Sequence, residues 1–272
     1  MSASTSGHPR SAIVARLRAA GCVFAEDEAR LLVEAAPTSA DLAAMVDRRA
    51  AGLPLEHVLG WAEFCGRRIA LAAGVFVPRR RTELLVREAA ALARPGAVVV
   101  DLCCGSGAVG AALVAAVDGI ELHAVDIDPA AVRCARSNVA AAGGLVYEGD
   151  LYDPLPAALR GRVDVVVANA PYVPTDAVRL LPPEARMHEP RGAVDGGADG
   201  LDVQRRVTAA APLWLAPGGH LLVETSERQA AQTVEIFARS GLVPRVAGSD
   251  RLNATVVIGR RTSSSRAERA DD

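Results

Sequence analysis

Three carboxylates follow three successive apolar runs in the middle of the chain: Asp101, Asp126 and Asp150. If these runs are parallel strands, the acids meet at the edge of the sheet where open α/β folds hold their ligands. Asp101 suits a cationic group, such as the sulfonium and amino groups of S-adenosylmethionine, because opposite charges attract strongly in a partly dry cleft. Asp126 can accept both hydroxyls of a ribose, and Asp150 can accept from an adenine amino group. The three acids together predict a nucleoside site.

The loop that contains Asp101 is rich in glycine and follows the apolar run AVVV. The Gly-Ser-Gly at 105–107 allows ligand atoms to approach the backbone closely. Residues 105–110 also match the G-x-G-x-x-G fingerprint of dinucleotide sites, with Asp126 in the place of the ribose-binding acid, so a dehydrogenase is an alternative. Against it, Asp101 and two cysteines separate the strand from the first glycine, and a carboxylate is unfavourable beside a pyrophosphate. A turn that only packs, with helix caps at Asp126 and Asp128, is the purely structural alternative.

Short apolar runs alternate with helical segments from residue 95 onward, which is typical of a parallel sheet with crossover helices. The last two runs are separated by too little chain for a helix, so one of those strands is expected to be antiparallel. Strands are predicted at 97–102, 121–126, 145–148, 163–168, 220–224, 242–246 and 254–258, and helices at 108–117, 129–141, 201–215 and 227–240. The fold class is therefore α/β, with a seven-stranded, mostly parallel Rossmann-like sheet.

The first part of the chain has a different pattern. Residues 11–52 have apolar side chains at helical spacing, and Gly21 and Pro37 separate short helices. Apolar residues between 61 and 77 are spaced more like strands, with a turn at Cys65-Gly66. The predicted organisation is a small helical domain at 1–60, a hairpin linker at 61–77, a larger domain at 78–260, and a tail at 261–272 that is expected to be disordered.

The composition excludes several classes of protein. Half of the 272 residues are hydrophobic and 23% are charged, which is ordinary for a globular protein and unlike a disordered chain. A net charge of -2 provides no general cationic field, so stable nucleic-acid binding is not expected. Five cysteines without a CxxC pair predict reduced thiols and no metal site. The sequence has no apolar run of about 18 residues and no apolar leader, so we expect a cytoplasmic protein without membrane contact.

The residues after the fourth predicted strand of the larger domain carry the most specific signal. Asn169-Ala170-Pro171-Tyr172 stands where Asn-Pro-Pro-Tyr marks methyltransferases that act on planar amide or amine nitrogens. With this motif the sequence resembles the release-factor glutamine methyltransferases, the HemK or PrmC family. The resemblance covers most of the chain, through Arg48-Arg49 with Gly52, Pro54, His57 and Gly60, Val77-Pro78-Arg79 with Thr82-Glu83, the Asp101 loop, Asp126, and Glu189-Pro190 followed by Gly196-Gly197 and Asp199-Gly200-Leu201.

The resemblance implies a class I methyltransferase domain that uses S-adenosylmethionine. The acceptor it implies is the side-chain amide of a glutamine, namely that of the Gly-Gly-Gln motif in peptide-chain release factors. The resemblance further implies that the carboxamide oxygen of Asn169 and the main-chain carbonyl of Ala170 accept hydrogen bonds from the two N–H groups of that amide, and that Tyr172 packs near its plane. The helical domain is expected to select the release factor, and the enzyme to act as a monomer.

The residues expected at the site form three overlapping sets. The catalytic residues are Asn169, Ala170, Pro171 and Tyr172. The same four bind the substrate, together with Arg79 and Glu189. The cofactor-binding residues are Asp101, Cys103, Cys104, Gly105, Ser106, Gly107, Asp126, Asp150, Leu151 and Asn169.

The chain departs from the family pattern at three places: Ala170 replaces a proline, Cys103 a loop glycine, and Arg80-Arg81 a Pro-Asp pair. Ala170 keeps the carbonyl but loses the fixed φ of proline and the restriction that proline imposes on Asn169. Cys103 and its neighbour Cys104 are interpreted as small apolar residues rather than nucleophiles. The arginine run is either a solvated charged face or a contact for an acidic partner or ribosomal RNA.

Two alternative functions are considered beside glutamine methylation. The same Asn-led motif suits an exocyclic amine on a nucleic-acid base, which would have to be flipped into the cleft from a basic approach surface. The N-terminal part of the resemblance argues against this. A non-catalytic cofactor-binding protein that docks on translation factors is the alternative outside catalysis, and the intact Asn169, Pro171 and Tyr172 argue against it.

Overall fold

The computed structural model describes residues 10–262. Its helices are α1 (Arg10–Ala19), α2 (Ala25–Ala35), α3 (Ser39–Ala50), α4 (Leu55–Leu59), α5 (Glu83–Leu92), α6 (Ala108–Ala116), α7 (Pro129–Val139), α8 (Pro183–His188), α9 (Asp202–Trp214) and α10 (Ala230–Arg239). Its strands are β1 (Trp61–Phe64), β2 (Arg67–Ala70), β3 (Val98–Leu102), β4 (Glu121–Asp126), β5 (Leu145–Glu148), β6 (Val163–Ala168), β7 (Leu215–Thr225), β8 (Leu242–Ser249) and β9 (Ala254–Arg261). None of the helices in this range is long and apolar enough to cross a membrane.

Seven strands form one sheet in the order β5-β4-β3-β6-β7-β9-β8. The pairings among β3 to β7 are parallel, whereas β9 runs antiparallel to both of its neighbours. The predicted Rossmann-like sheet and its antiparallel strand are therefore confirmed. The chain runs outward from β3 to β5 and then returns to β6 on the other side of β3, and such a reversal of strand order opens a crevice at the carboxyl ends.

The N-terminal helices α1 to α4 pack around their own small core, to which Leu17, Leu32 and Val46 contribute. The amphipathic pattern of α2 and the side-chain cap of α3, where Thr38 Oγ1 accepts from the Asp41 N–H at 3.1 Å, explain why these helices form here. The two strands that follow, β1 and β2, pair around Cys65 and Gly66, whose φ angles of 49° and 69° form a tight two-residue turn. The predicted small helical part is therefore present, and a hairpin follows it before the sheet.

Several details differ from the expectation. Helix α5 was not predicted, although Leu84, Leu85 and Ala89 are all buried on one side of it. Strand β7 begins at Leu215 rather than at residue 220, because it is also paired to β6 at its first residue. Strand β9 continues to Arg261, which the sequence assigned to the tail, because Arg261 pairs with Leu242 of β8. The rest of the predicted tail lies outside the described residues.

Candidate active site

A cleft of about 300 Å³ opens at the carboxyl edge of the sheet, at the end of β3, β4 and β6. The residues predicted for the site that line it are Asp101, Cys103, Cys104, Gly105, Ser106, Asp126, Asp150, Leu151, Asn169 and Pro171. The other predicted site residues are not among those that line the cleft: Gly107, Ala170, Tyr172, Arg79 and Glu189. Lining residues for which the sequence predicted no role include Phe64, Phe76, Thr82, Pro190 and Arg206.

The loop after β3 is built from left-handed backbone. Cys103, Gly105 and Gly107 have φ angles of 54°, 55° and 75°. At Gly107 a Cβ would lie 3.0 Å from the Cβ of Ala135, so glycine is also required there for packing. A residue with a Cβ is destabilised in the left-handed conformation by about 1 to 2 kcal/mol, which explains why glycine is usual at the position of Cys103. These turns curl the loop around the cleft.

Asp101 lies at the floor of this loop and is almost completely buried. Its Oδ2 accepts from the N–H of Gly110 at 2.9 Å. Burial raises the pKa of Asp101 to about 7; the Gly110 N–H opposes the shift and the charge of Asp126 adds to it. A Cβ on Gly110 would lie 2.9 Å from Leu122 Cδ2 and 3.2 Å from Asp101 Oδ2. Gly110 is the last glycine of the G-x-G-x-x-G pattern. Its close contacts with Leu122 and the buried Asp101 explain why a glycine is needed there, so no dinucleotide has to be invoked.

Asp126 organises the same loop from the end of β4. Its Oδ2 accepts from the N–H of Gly105 at 2.8 Å, and its Oδ1 accepts from the N–H of Asp128 at 2.9 Å. Burial raises the pKa of Asp126 against these two hydrogen bonds. A carboxylate has about four lone-pair positions, so both oxygens can accept one further donor. Asp128 itself accepts from the N–H of Ala130 at 2.8 Å and caps α7. The interpretation of Asp128 as a helix cap is therefore confirmed.

The third acid, Asp150, is half-exposed at the rim of the cleft. Its Oδ2 lies 2.6 Å from a guanidinium nitrogen of Arg206 on α9. Leu151 follows with a φ angle of 48°, so it also has a left-handed backbone although it is not a glycine. Arg206 comes to the cleft from a distant helix, and nothing in its local sequence indicates this.

The two cysteines of the loop have thiols that stay protonated. Burial raises the pKa of Cys103 and of Cys104, and the charges of Asp101 and Asp126 raise both further. A thiolate is the reactive form of cysteine. The structure therefore supports their interpretation as packing residues.

Asn169 extends from the end of β6 into the cleft. Its Nδ2 donates to the hydroxyl oxygen of Thr82 at 3.3 Å, and Thr82 is buried just before α5. Within residues 10–262 no donor reaches Asn169 Oδ1. The carboxamide is thus turned so that its oxygen is available as an acceptor, with Ala170 buried next to it.

Tyr172 points away from the cleft lining toward the end of β7. Its hydroxyl donates to Glu224 Oε1 at 3.1 Å, and the Nε of Arg81 lies 3.2 Å from the same oxygen. Burial and then the charge of Glu224 raise the pKa of Tyr172, so its hydroxyl remains a donor.

The glycine-rich segment after Glu189 supports this loop from below. A Cβ on Gly196 would lie 2.6 Å from the Pro171 carbonyl oxygen, and one on Gly200 would lie 2.3 Å from the Tyr172 carbonyl oxygen. Gln229 Nε2 donates to that same Tyr172 oxygen at 3.0 Å. The Gly-Gly and Asp-Gly-Leu blocks are therefore required because the two segments approach each other at backbone distance.

Arg79 and Glu189 form an ion pair instead of facing the cleft directly. Arg79 donates from one guanidinium nitrogen to Glu189 Oε1 and Oε2 at 2.5 and 2.6 Å. Burial raises the pKa of Glu189, and the charge of Arg79 opposes this. Their chain neighbours, Pro78 and Pro190, line the cleft. The pair thus joins two segments that make one wall.

The sheet, the crevice and the acids at its edge define the class of protein. Residues 68–181 match the family described as Methyltransferase small domain. A solved ribosomal-protein methylase from Lactobacillus delbrueckii subsp. bulgaricus has a TM-score of 0.52 at 16% identity, over 71% of this chain and 85% of that chain. A 16S rRNA methyltransferase of T. Thermophilus, solved with AdoMet and guanosine, has a TM-score of 0.51 at 20% identity, over 74% of this chain and 49% of that chain. The chain therefore has the fold of these methyltransferases.

Relatives in sequence narrow the assignment. The release factor glutamine methyltransferase of Geobacter sulfurreducens is 38% identical over 219 residues, which cover 80% of this chain and 76% of the relative. That of Mycolicibacterium smegmatis is 40% identical over 220 residues, 79% of this chain and 78% of the relative. A 4-amino-L-phenylalanine/4-methylamino-L-phenylalanine methyltransferase of Streptomyces pristinaespiralis is 38% identical over 203 residues, 72% of this chain and 69% of the relative. The chain belongs to the release factor glutamine methyltransferase family, which argues against a dehydrogenase.

Proposed function

We propose that this protein methylates the side-chain amide nitrogen of the glutamine in the Gly-Gly-Gln motif of a peptide-chain release factor. One observation carries the proposal: the Asn169 carboxamide, with its Nδ2 engaged by Thr82, presents Oδ1 to the cleft that the three acids also line. An acceptor for an amide N–H and a nucleoside site thus share one cavity.

The residues of the cleft fit S-adenosylmethionine. The carboxyl of Asp101 suits its cationic end, the remaining acceptor positions of Asp126 suit ribose hydroxyls, and Asp150 suits the adenine amino group. The left-handed turns at Cys103, Gly105 and Gly107 bring the backbone close to that space. When bound, the cofactor supplies an electrophilic methyl group.

The protein residues have to overcome the poor nucleophilicity of an amide. The nitrogen lone pair is delocalised into the carbonyl, so the nitrogen must be held in line and allowed to become more tetrahedral. We assign Asn169 Oδ1 and the Ala170 carbonyl as the acceptors for its two N–H bonds. Orientation of this kind can lower a barrier by up to about 7 to 11 kcal/mol. Positioning and electrostatics are sufficient, because methylation acidifies the N–H and the proton can then leave to water.

The N-terminal helical unit is proposed to select the release factor. Arg49 of α3 pairs with Glu28 of α2 at 2.6 Å and with Glu184 of α8 at 2.7 Å. This buried arginine connects the helical unit to the segment that precedes the Glu189 wall. A partner bound on the helices is therefore held in a defined orientation to the cleft. We propose that the enzyme acts as a monomer in the cytoplasm.

The test is to incubate a purified class I release factor with this protein and S-adenosylmethionine, followed by intact mass and peptide mapping. We expect one added methyl group on the Gly-Gly-Gln glutamine, and its loss with Asn169→Ala. A parallel incubation with 4-amino-L-phenylalanine tests the acceptor named for one relative. Cofactor binding with methylation of that amine, or of a nucleic-acid base, and none of the release factor would overturn the proposal.

A further inference from the structure

Asn169 and Tyr172 lie on one loop, and Ala170 leaves that loop without a restriction that its family usually has. A proline at 170 would limit the backbone of Asn169. Its absence means that contacts from elsewhere must hold the two side chains in place. The role of these contacts in catalysis rests on the proposed function.

Two consecutive residues reach the two ends of the loop. Arg80–Thr82 form a single 3-10 turn directly before α5. From this turn Thr82 accepts the hydrogen bond of Asn169, and Arg81 binds the carboxylate that accepts from the Tyr172 hydroxyl. One rigid turn therefore contacts Asn169 directly and Tyr172 through Glu224.

Glu224 is placed for this role by the sheet. Ala168 of β6 is paired with Val223 of β7, so Glu224 lies beside Asn169 one position further on. Its side chain is 2% exposed, and its Oε2 has no hydrogen-bond partner in the described part of the chain. A buried carboxylate without an opposite charge is strongly unfavourable. The neighbouring Arg81 supplies that charge.

Arg81 also covers the ring that it helps to fix. Its guanidinium carbon lies 5.7 Å from the centroid of the Tyr172 ring, within the distance at which a cation is attracted to an aromatic face. The side chain is 45% exposed, so it forms the outer side of the assembly while Glu224 forms the inner side. Tyr172 is thus held at its hydroxyl and at its face.

We propose that the Arg80–Thr82 turn is a clamp on the acceptor loop, in which Arg81 positions Tyr172 and Thr82 positions Asn169. The clamp supplies the order that a proline at 170 would otherwise supply. Arg81 is a positioning residue, because its side chain contacts Glu224 and Tyr172, which do not line the cleft, and not the predicted acceptors of the amide.

The experiment compares Arg81→Gln with Arg80→Gln. Arg80 stands on the same turn and is exposed, and its side chain has no hydrogen bond or ion pair to any residue within 10–262. The two variants lose the same charge one residue apart. We expect Arg81→Gln to lower kcat for a Gly-Gly-Gln release factor by about tenfold with little change in KM, since misplacement acts on the chemical step. Arg80→Gln keeps kcat within about twofold, and Arg81→Lys recovers part of the loss.

Two further measurements separate positioning from stability. In an Ala170→Pro background the loss caused by Arg81→Gln should shrink to about threefold or less, because coupled residues are non-additive. Hydrogen–deuterium exchange at 169–175, which needs no substrate, should be faster in Arg81→Gln than in Arg80→Gln. If the wild-type protein methylates no release factor, the proposed function fails while exchange still tests the clamp. Equal effects of the two arginine variants on exchange would overturn the clamp.

Discussion

The two loops that meet at the cleft are held by different means. The loop after β3 is shaped mainly by nearby sequence, through left-handed residues such as Gly105 and through two acids: Asp101 accepts from the N–H of Gly110, and Asp126 from that of Gly105. The loop after β6 is held by side chains and backbone from far along the chain, including Thr82 and Glu224. The first loop can therefore be recognised from one stretch of sequence, whereas the second depends on the whole fold. This contrast predicts where each loop breaks.

The largest effect is expected at the loop after β6. Asn169→Ala removes the acceptor Oδ1, and loss of one preorganised hydrogen-bonding group typically lowers kcat by about 100- to 1000-fold. Asn169 is only one of ten predicted cofactor-binding residues, and most of the others lie on the separately built loop after β3, so the affinity for S-adenosylmethionine should fall by less than about threefold. Single-turnover methylation and calorimetric titration measure the two quantities. A parallel loss of cofactor affinity would show that the loops are not independent.

Gly200→Ala disturbs the segment that packs against the loop after β6. A Cβ would lie 2.3 Å from the Tyr172 carbonyl oxygen, at a φ of 79°. We expect a loss of about 2 to 3 kcal/mol in the free energy of unfolding, from strain and overlap together. Gly74→Ala is the matched control, because its φ is 78° and nothing lies within 4 Å of the added atom. Urea unfolding should show a loss of about 1 kcal/mol or less for the control. Equal losses would mean that backbone contact does not support the loop.

The loop after β3 is tested by pH. Because the pKa of Asp101 is raised to about 7 in the free protein, the carboxyl is mostly neutral at pH 6. A cationic ligand prefers the ionised form, so S-adenosylmethionine should bind about tenfold more weakly at pH 6 than at pH 8. The same shift makes the free energy of unfolding fall as pH rises from about 4 to about 7, since the folded protein holds the proton more tightly. Asp101→Asn should bind weakly without this pH dependence. If the affinity of the wild-type protein for S-adenosylmethionine is the same at pH 6 and at pH 8, Asp101 does not interact with the cationic end of the ligand.

The smallest effect is expected at Cys103. With a φ of 54°, Cys103→Gly relieves backbone strain and should stabilise the protein by up to about 1 kcal/mol, seen as a small rise in Tm. Cys104→Gly has no positive φ to relieve and should lower Tm instead. If both variants lower Tm, the packing of the Cys103 side chain outweighs its strain.

The sequence predicts the sheet because its signal is local. Val98–Leu102 and Val163–Ala168 are short apolar runs that are buried on both faces, and each ends in a polar turn. The same locality made the acids at the ends of the strands visible. Helix α5 also has a local pattern, since Leu84, Leu85 and Ala89 fall on one side of it, but it was not predicted.

Other parts of the site have no local signal. Arg206 and Glu224 enter from α9 and β7, and their approach depends on how these elements pack. Arg79 and Glu189 were predicted to bind the substrate, yet they pair with each other behind the wall, and a role in binding stays a prediction. The match of Gly196 and Gly200 to the family pattern is visible in the sequence. The physical reason for these glycines, the close approach of two backbones, is visible only in the structure.

The support of the acceptor loop also bears on how this enzyme can change over evolutionary time. Gly196, Gly200 and Gln229 contact the loop at the carbonyl oxygens of Pro171 and Tyr172, atoms that every amino acid possesses. Side chains on the loop can therefore be exchanged while its path is kept, and Ala170 is one such exchange. Selection for a new acceptor would accumulate its substitutions on the loop itself, and the glycines beneath it would remain fixed.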